Sequence, residues 1–416
     1  MPEFWDTPGM STKHPGVHLG VIALVLALAY GIWYAYSVFL VALLRDFGWK
    51  RSLLAGAFST FAIVQGVVNP VLGSLCDRIS PAVLMGLGGA LLSAALICDS
   101  FITLPWHLYV AFGGLTALGV ALCGWIPSLV LVQRRYARRL GLAIGIISAG
   151  VGVGMLAVVP LAQWLIELHG WRSAFRWLAA ATALCVLPAA FFLYIGERAA
   201  PGAAHSRANR ATPAGTQALG PVLRSPSFWL LVLAFFGGTY CSQTLHVHQV
   251  AFLVDHGITP LQAASVVGVV GLASIFGKIG SGWLSDHFVR ERVYCGFVGI
   301  LLLAVAALAF AGAQATAWSI YAYAILLGVG YSATAAITPA MMSDRFSGPR
   351  FGTIIGMGLF ASALGSASGP WMAGHLFDLQ GSYANALWLA GAAGSIACVC
   401  GWQAGRLRRV DSGLKR

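Results

Sequence analysis

Gly73-Ser-Leu-Cys-Asp77-Arg78 and Gly282-Trp-Leu-Ser-Asp286-His287 stand 209 residues apart, each at the end of a long apolar run. A second pair, Arg139-Leu-Gly141-Leu-Ala-Ile-Gly145 and Arg350-Phe-Gly352-Thr-Ile-Ile-Gly356, opens two further apolar runs at a spacing of 211. Two matches at nearly one offset divide the chain into two parallel copies of one unit. Between the copies lies the only long polar stretch, ERAAPGAAHSRANRATPAGTQALGPVLRSP over 197–226, whose Ala, Pro, Gly and Arg content reads as a linker.

Each copy must be built of apolar helices. The 416 residues are 58% hydrophobic and 9% charged, with mean hydropathy +0.80, whereas soluble domains carry about 25% charged residues. The bilayer is therefore the solvent, and apolar runs of roughly 20 residues must satisfy their own backbone hydrogen bonds as spanning helices. Twelve spans are expected, at 18–43, 52–74, 82–103, 107–132, 140–162, 174–195, 227–253, 261–284, 293–313, 317–341, 352–376 and 383–404. The implied organisation is an N-terminal segment 1–17, a six-helix bundle 18–196, the linker 197–226, a second bundle 227–404 and a tail 405–416.

The net charge of +12 invites a nucleic-acid reading, but such proteins gather Lys and Arg on one folded face. Here the charges mark topology. With both termini cytoplasmic, 19 of the 25 Lys and Arg fall inside, among them Arg134, Arg135, Arg138, Arg139, Arg406, Arg408 and Arg409. Five fall outside (Arg45, Lys50, Arg51, Arg172, Arg176), so the positive-inside rule selects this orientation, in a cell inner membrane. The remaining one is Lys278. Eight cysteines are scattered without metal-ligand or disulfide spacing and read as reduced packing residues. The first span is too long for a signal-peptide core and lacks a following cleavage site, so it reads as an uncleaved insertion signal.

The repeated segments also carry a family resemblance. Gly73-x-x-x-Asp77-Arg78 is similar to the loop 2-3 motif of the major facilitator superfamily, with Ile79, Ser80 and Pro81 replacing the usual glycine and basic residues. That motif implies a gating role for Asp77 and Arg78, and for Asp286 in the second copy, with the first copy dominant because it keeps both charges. Tyr30-Gly-Ile-Trp-Tyr-Ala-Tyr-Ser-Val-Phe-Leu40, leading to Asp46-Phe-Gly-Trp-Lys-Arg-Ser52, resembles the monocarboxylate transporter family and the neighbouring oxalate/formate antiporters. The likeness runs the full length of the chain and extends to bacterial lactate transporters. It implies an all-α membrane protein of the major facilitator fold, two pseudo-symmetric six-helix bundles moving a small organic anion.

Lys278 is the candidate centre. It sits in Gly271-Leu-Ala-Ser-Ile-Phe-Gly-Lys278-Ile-Gly280 of the eighth span, where an ammonium costs a few kcal/mol unless a partner, water or cavity receives it. No acidic residue precedes it on the same face; one turn back stand Ser274 and Ile275. An unpaired cation at that depth suits a carboxylate. Snorkelling is the competing reading, because a long side chain can partly reach the inner interface. In monocarboxylate transporters this span carries an Asp four residues before a substrate-binding Arg, and the resemblance places Lys278 at the Arg and Ser274 at the Asp. A first-span lysine implicated in proton uptake corresponds to Tyr34.

Around Lys278 we expect Tyr331, near the middle of the tenth span, and Tyr34 of the first as hydrogen-bond donors, with packing as their alternative role. Gln243 and His246 lie one turn apart on one face of the seventh span, while His248 points elsewhere. An imidazole there can carry a proton or be structural. The 13 acidic residues sit in loops, termini or helix edges, Asp99 being the deepest. Lys278 is then itself expected to couple proton to anion, since a nearby carboxylate favours an ammonium.

Gly150-x-Gly152-x-Gly154 follows no strand and is no dinucleotide site, and Gly277-Lys278 lacks P-loop spacing. No enzyme activity, cofactor or metal is expected. The sequence reads as a proton-coupled symporter of a small monocarboxylate of the lactate or pyruvate type, functional as a monomer. An oxalate/formate-like antiporter is the alternative, and a drug efflux pump a more distant one.

Overall fold

A computed structural model describes residues 15–136, 140–198, 219–313, 316–346 and 351–413. Residues 1–14, the middle of the expected linker, and Arg138 and Arg139 lie outside the described residues, as does the side chain of Asp77. Among the described residues the chain is a succession of long helices: α1 (Pro15–Phe47), α2 (Arg51–Arg78), α3 (Pro81–Asp99), α4 (Pro105–Arg135), α5 (140–169), α6 (171–198), α7 (Pro226–Asp255), α8 (Pro260–His287), α9 (Arg290–Ala313), α10 (Ala317–Phe346), α11 (Phe351–Gln380) and α12 (Ala384–Gly413). A short helix, Leu219–Arg224, precedes α7. Most helices overrun the expected apolar spans by several residues at one or both ends, because helical hydrogen bonding continues past the hydrocarbon-length run. We call the side bearing both ends of the chain inner and the opposite side outer.

Helix boundaries follow local chemistry. Ser80 caps α3, its hydroxyl accepting from the Val83 N–H, with Pro81 in the first turn; Thr259 and Pro260 open α8 in the same way. Among the described residues four glycines have positive φ: Gly48 (65°), Gly170 (78°), Gly257 (84°) and Gly381 (67°). Each makes an outer turn, between α1 and α2, α5 and α6, α7 and α8, and α11 and α12. Gly48 and Gly257 are 209 apart and Gly170 and Gly381 are 211 apart, the two offsets of the repeated motifs. The left-handed backbone of these tight turns, which glycine alone enters freely, thus repeats with the sequence.

Within each bundle, small residues let helices touch backbone to backbone. A Cβ built on Gly150 or Gly154 of α5 would lie 2.3 or 2.1 Å from the carbonyl oxygens of Ala23 and Ala27 on α1. The matching contacts in the second bundle are Gly365 and Gly369 of α11 against the carbonyls of Phe236 and Tyr240 on α7. The halves meet along two seams, α2 with α11 and α5 with α8. Gly66 abuts Ala363, Gly152 abuts Gly271 and Ile275, and Gly374 abuts Arg51 and Ser52. These contacts run from the outer ends to mid-helix and then stop. At Gly73, Gly145, Gly282 and Gly356 an added Cβ would meet nothing within 4 Å. The core shows the same asymmetry: one buried apolar cluster fills the first bundle and continues into the outer part of the second, while the inner part of the second has its own cluster around Phe228, Tyr294, Met341 and Met342. The molecule is closed outside and parted inside.

Candidate functional site

Lys278 stands nine residues from the inner end of α8, about 14 Å at 1.5 Å per residue. Its ammonium does not turn toward the inner surface. Nζ lies 5.6 Å from the ring centroid of Tyr331 on α10, within the range of a cation–π contact. Among the described residues it makes no ion pair. Ser274, one turn back, is buried and donates to its own helix at the Gly271 carbonyl, 2.7 Å away, so it gives Lys278 no counter-charge.

From Tyr331 the site continues across the seam. His246 of α7 meets Tyr331 edge-on with centroids 4.7 Å apart, and the ring of Tyr34 on α1 lies 5.1 Å from that of His246. The Tyr34 hydroxyl engages Tyr331 and the side chain of Gln243. Tyr331 also reaches across to the sulfur of Met155 on α5, at 3.7 Å. The structure therefore brings Lys278, Tyr331, Tyr34, Gln243 and His246 into one constellation that joins both halves at mid-membrane depth.

Two of these side chains carry unused capacity. His246 Nδ1 lies 2.7 Å from the Ser242 carbonyl and so must be the protonated nitrogen, which leaves Nε2 as an acceptor. Among the described residues, that Nε2 is buried without a partner, as is Oε1 of Gln243. Buried polar atoms are otherwise almost always paired. One cation, two phenols and two free acceptors around one space can hold a carboxylate and deliver or receive one proton. His248, as expected, faces away; its ring nitrogens lie 3.0 Å from the Tyr383 hydroxyl and 2.8 Å from the Pro370 carbonyl.

The inner gating candidates are apart. Arg78 and Asp286 are exposed and, among the described residues, form no ion pair with the other half. The closed outer side is held instead by Arg51, which the sequence reading counted only as a topological charge. Its guanidinium grips Asp255 of α7 at 2.7 and 2.8 Å, donates to the Tyr383 hydroxyl at 2.6 Å, and lies 3.8 Å from the Phe377 ring centroid. Asp378 of α11 accepts from the backbone N–H groups of Arg51 and Ser52 at 2.9 and 2.8 Å, capping α2 from the opposite half. Burial raises the Tyr383 phenol above its ordinary value, opposed by the adjacent guanidinium. The available signal was positional: Arg51 opens α2, and Asp255 and Asp378 close α7 and α11.

Asp99 is the other residue under-read from sequence. The third helix ends at Asp99 rather than near 103, and its carboxyl is fully buried, with Oδ2 accepting from Thr116 at 2.8 Å and Oδ1 unpartnered. Thr116 closes a π-helical stretch, Tyr109–Thr116, in α4. A buried carboxyl therefore exists, within the first bundle and away from the seam residues. Ser59 and Gln65 of α2 bridge helices: Ser59 donates to the Ala367 carbonyl of α11 at 2.5 Å and Gln65 to the Ala117 carbonyl of α4 at 3.0 Å.

Comparison with known proteins agrees with this architecture. The sequence profile of the Major Facilitator Superfamily matches residues 22–370 and 249–414. Monocarboxylate transporter 13 of Rattus norvegicus is 28% identical over 372 residues, 88% of this chain and 83% of the relative. Monocarboxylate transporter 3 of the same organism is 29% identical over 383 residues, covering 90% and 76%, and monocarboxylate transporter 12 of Xenopus laevis is 26% identical over 365, covering 82% and 79%. Among solved structures, a bacterial homologue of the human lysosomal transporter Spinster, in an inward-facing and occupied conformation, superposes with TM-score 0.72 at 18% identity over 95% of this chain and 98% of that one.

Proposed function

The chain belongs to the major facilitator superfamily, a multi-pass membrane transporter related to monocarboxylate transporters, and on that premise we propose that it carries a small monocarboxylate together with a proton by alternating access. The observation that supports this is the constellation of Lys278, Tyr331, His246, Tyr34 and Gln243 at the seam of the two halves. One cation there matches one carboxylate. A dianion exchanged by an oxalate-type antiporter would call for a second cation, and an apolar drug would leave Lys278 without a purpose. In this reading both termini are cytoplasmic and the protein resides in the inner membrane.

The coupling follows from charge. A lone ammonium crossing hydrocarbon is costly, and so is a lone carboxylate. Bound together they form a neutral pair, so the loaded carrier reorients without moving net charge. On release of the acid, Lys278 gives up its proton to water of the inner opening, directly or relayed through the free Nε2 of His246, so proton and anion leave together. Uptake of lactate into proteoliposomes should be electroneutral and stimulated by an outside-acid gradient. Lys278→Gln should abolish it while leaving a folded protein. Lys278→Arg should retain binding and lose the pH stimulation, because guanidinium stays protonated. If Lys278→Gln transports normally, the binding role is wrong; if Lys278→Arg still accumulates lactate on a pH gradient alone, the proton travels by another residue.

A further inference from the structure

Tyr34 belongs to a second series of rings that the anion site leaves unused. Its neighbour Trp33 lies 6.3 Å away, stacks on Tyr30 with centroids 5.6 Å and planes 19° apart, and meets Phe61 edge-on at 4.8 Å. Phe58 and Phe61 behind it are buried, whereas Trp33, Tyr30 and Trp125 are only half-buried. Tyr30 is fixed where α4 breaks. There the helix breaks at Gly124 (φ −86°, ψ −139°), a conformation in which a Cβ would lie 2.4 Å from the Val120 carbonyl oxygen, and the freed N–H of Trp125 meets the Tyr30 hydroxyl. The Trp33 indole N–H is buried and has no acceptor among the described residues.

Helix α1 packs on α5 and, across the seam, on α7, where Tyr34 meets His246, so the rings beside Tyr34 stand next to the anion site. The first bundle thus offers an aromatic wall of Tyr30 and Trp33 beside Tyr34, and the second offers the cation and free acceptors. A three-carbon acid held at Lys278 is too short to cover that wall.

We propose that the preferred substrates are monocarboxylates with a flat aromatic tail, the carboxylate held by Lys278 and Tyr331 and the ring laid against Tyr30 and Trp33. This rests on the monocarboxylate reading above and specifies its tail. An acid that touches both halves at once stabilises the state in which they close around it, and only such differential contact drives the conformational change. Trp33 is then the residue that sets tail specificity.

Lactate and 3-phenyllactate form a matched pair that differs by one phenyl ring. In proteoliposomes under one fixed pH gradient, we expect kcat/KM for 3-phenyllactate to exceed that for lactate by about tenfold or more, the scale of one well-placed aromatic contact together with its burial. Trp33→Leu should bring the ratio to within about threefold of unity, and Trp33→Phe, which keeps a flat ring, should preserve the preference and show that the position tolerates replacement. Lys278→Gln should abolish uptake of both acids. Lactate transport with a ratio at or below one, or a ratio that Trp33→Leu leaves unchanged, overturns the aromatic-tail proposal and leaves the monocarboxylate reading standing. Transport of neither acid by the native protein overturns both.

Discussion

Replacing Arg51 with Gln should open the outer side. Arg51 contributes a bidentate grip on Asp255, a bond to Tyr383 and a ring contact with Phe377, and Asp255, Tyr383 and Phe377 all belong to the opposite half. The pair is partly hydrated, with side chains 12% and 33% exposed. Its value therefore lies between the ~0.2–1 kcal/mol of a surface pair and the ~1.5–3 kcal/mol of a buried charged bond. Adding ~0.5–1 kcal/mol for the cation–π contact gives about 2 kcal/mol, or roughly a 30-fold shift in the outer-closed to outer-open ratio. The whole loss falls on the closed state, because every partner recedes when the seam parts. The assay is labelling of Ser59→Cys by a membrane-impermeant maleimide applied outside, in a background without the native cysteines. Ser59 bonds across the seam to Ala367, a contact that parts on opening, so reagent from outside should reach it faster. Labelling should accelerate about 30-fold, and adding Asp255→Asn to Arg51→Gln should change it little, as partners in one interaction do not add. An unchanged rate, or fully additive effects of the two substitutions, would refute the assignment of this cluster as the outer latch.

Three other outcomes follow from the same geometry. Gly145→Leu places its side chain where a Cβ now meets nothing within 4 Å, so folding and anion binding should survive while inner closure is obstructed; uptake should fall about ten- to a hundredfold if closure suffers ordinary overpacking. Gly154→Val, whose Cβ would lie 2.1 Å from the Ala27 carbonyl oxygen, should instead lower the melting temperature of the purified protein, a defect of α1 against α5 measurable without transport. Tyr34→Phe keeps the ring against His246 and removes the hydroxyl, so KM for a small acid should rise by about two- to tenfold, the worth of one neutral hydrogen bond, with yield unchanged.

The fold was legible because membrane folding leaves few choices. Apolar runs had to be helices, and the two offsets at Gly73 and Gly282 and at Gly145 and Gly356 had to be a duplication. The site was legible in its residues: a cation, two tyrosines, a glutamine and a histidine stood out as polar groups in apolar spans. Their company was not, since nothing in the sequence says that Tyr34 of α1 meets His246 of α7. The latch was hidden for a different reason. Arg51, Asp255 and Asp378 sit at helix ends, where charged residues are ordinary, and only the crossing of the halves makes them partners. Asp99 was under-read because the third helix ends there rather than near 103, and because the burial of a helix-end carboxyl depends on α4 folding over it.

The duplicated glycines and the latch explain each other. The seams contain two kinds of glycine: those at mid-depth and outward, such as Gly66, Gly152 and Gly374, are pressed against the other half, and the repeated ones, Gly73, Gly145, Gly282 and Gly356, touch nothing. All belong to α2, α5, α8 and α11, the helices that form both seams. A position kept free of side chain in both copies, yet vacant in this state, is accounted for if another state fills it. Rocking the bundles about the mid-membrane contacts at Gly152 and Gly271 would separate Arg51 from Asp255 and bring the inner glycines together. The site of Lys278, Tyr331, His246 and Tyr34 lies close to that pivot, where small displacements suffice to expose it first to one side and then to the other. The latch and the inner glycines are then opposite ends of one lever, and weakening either should shift the same equilibrium in opposite directions.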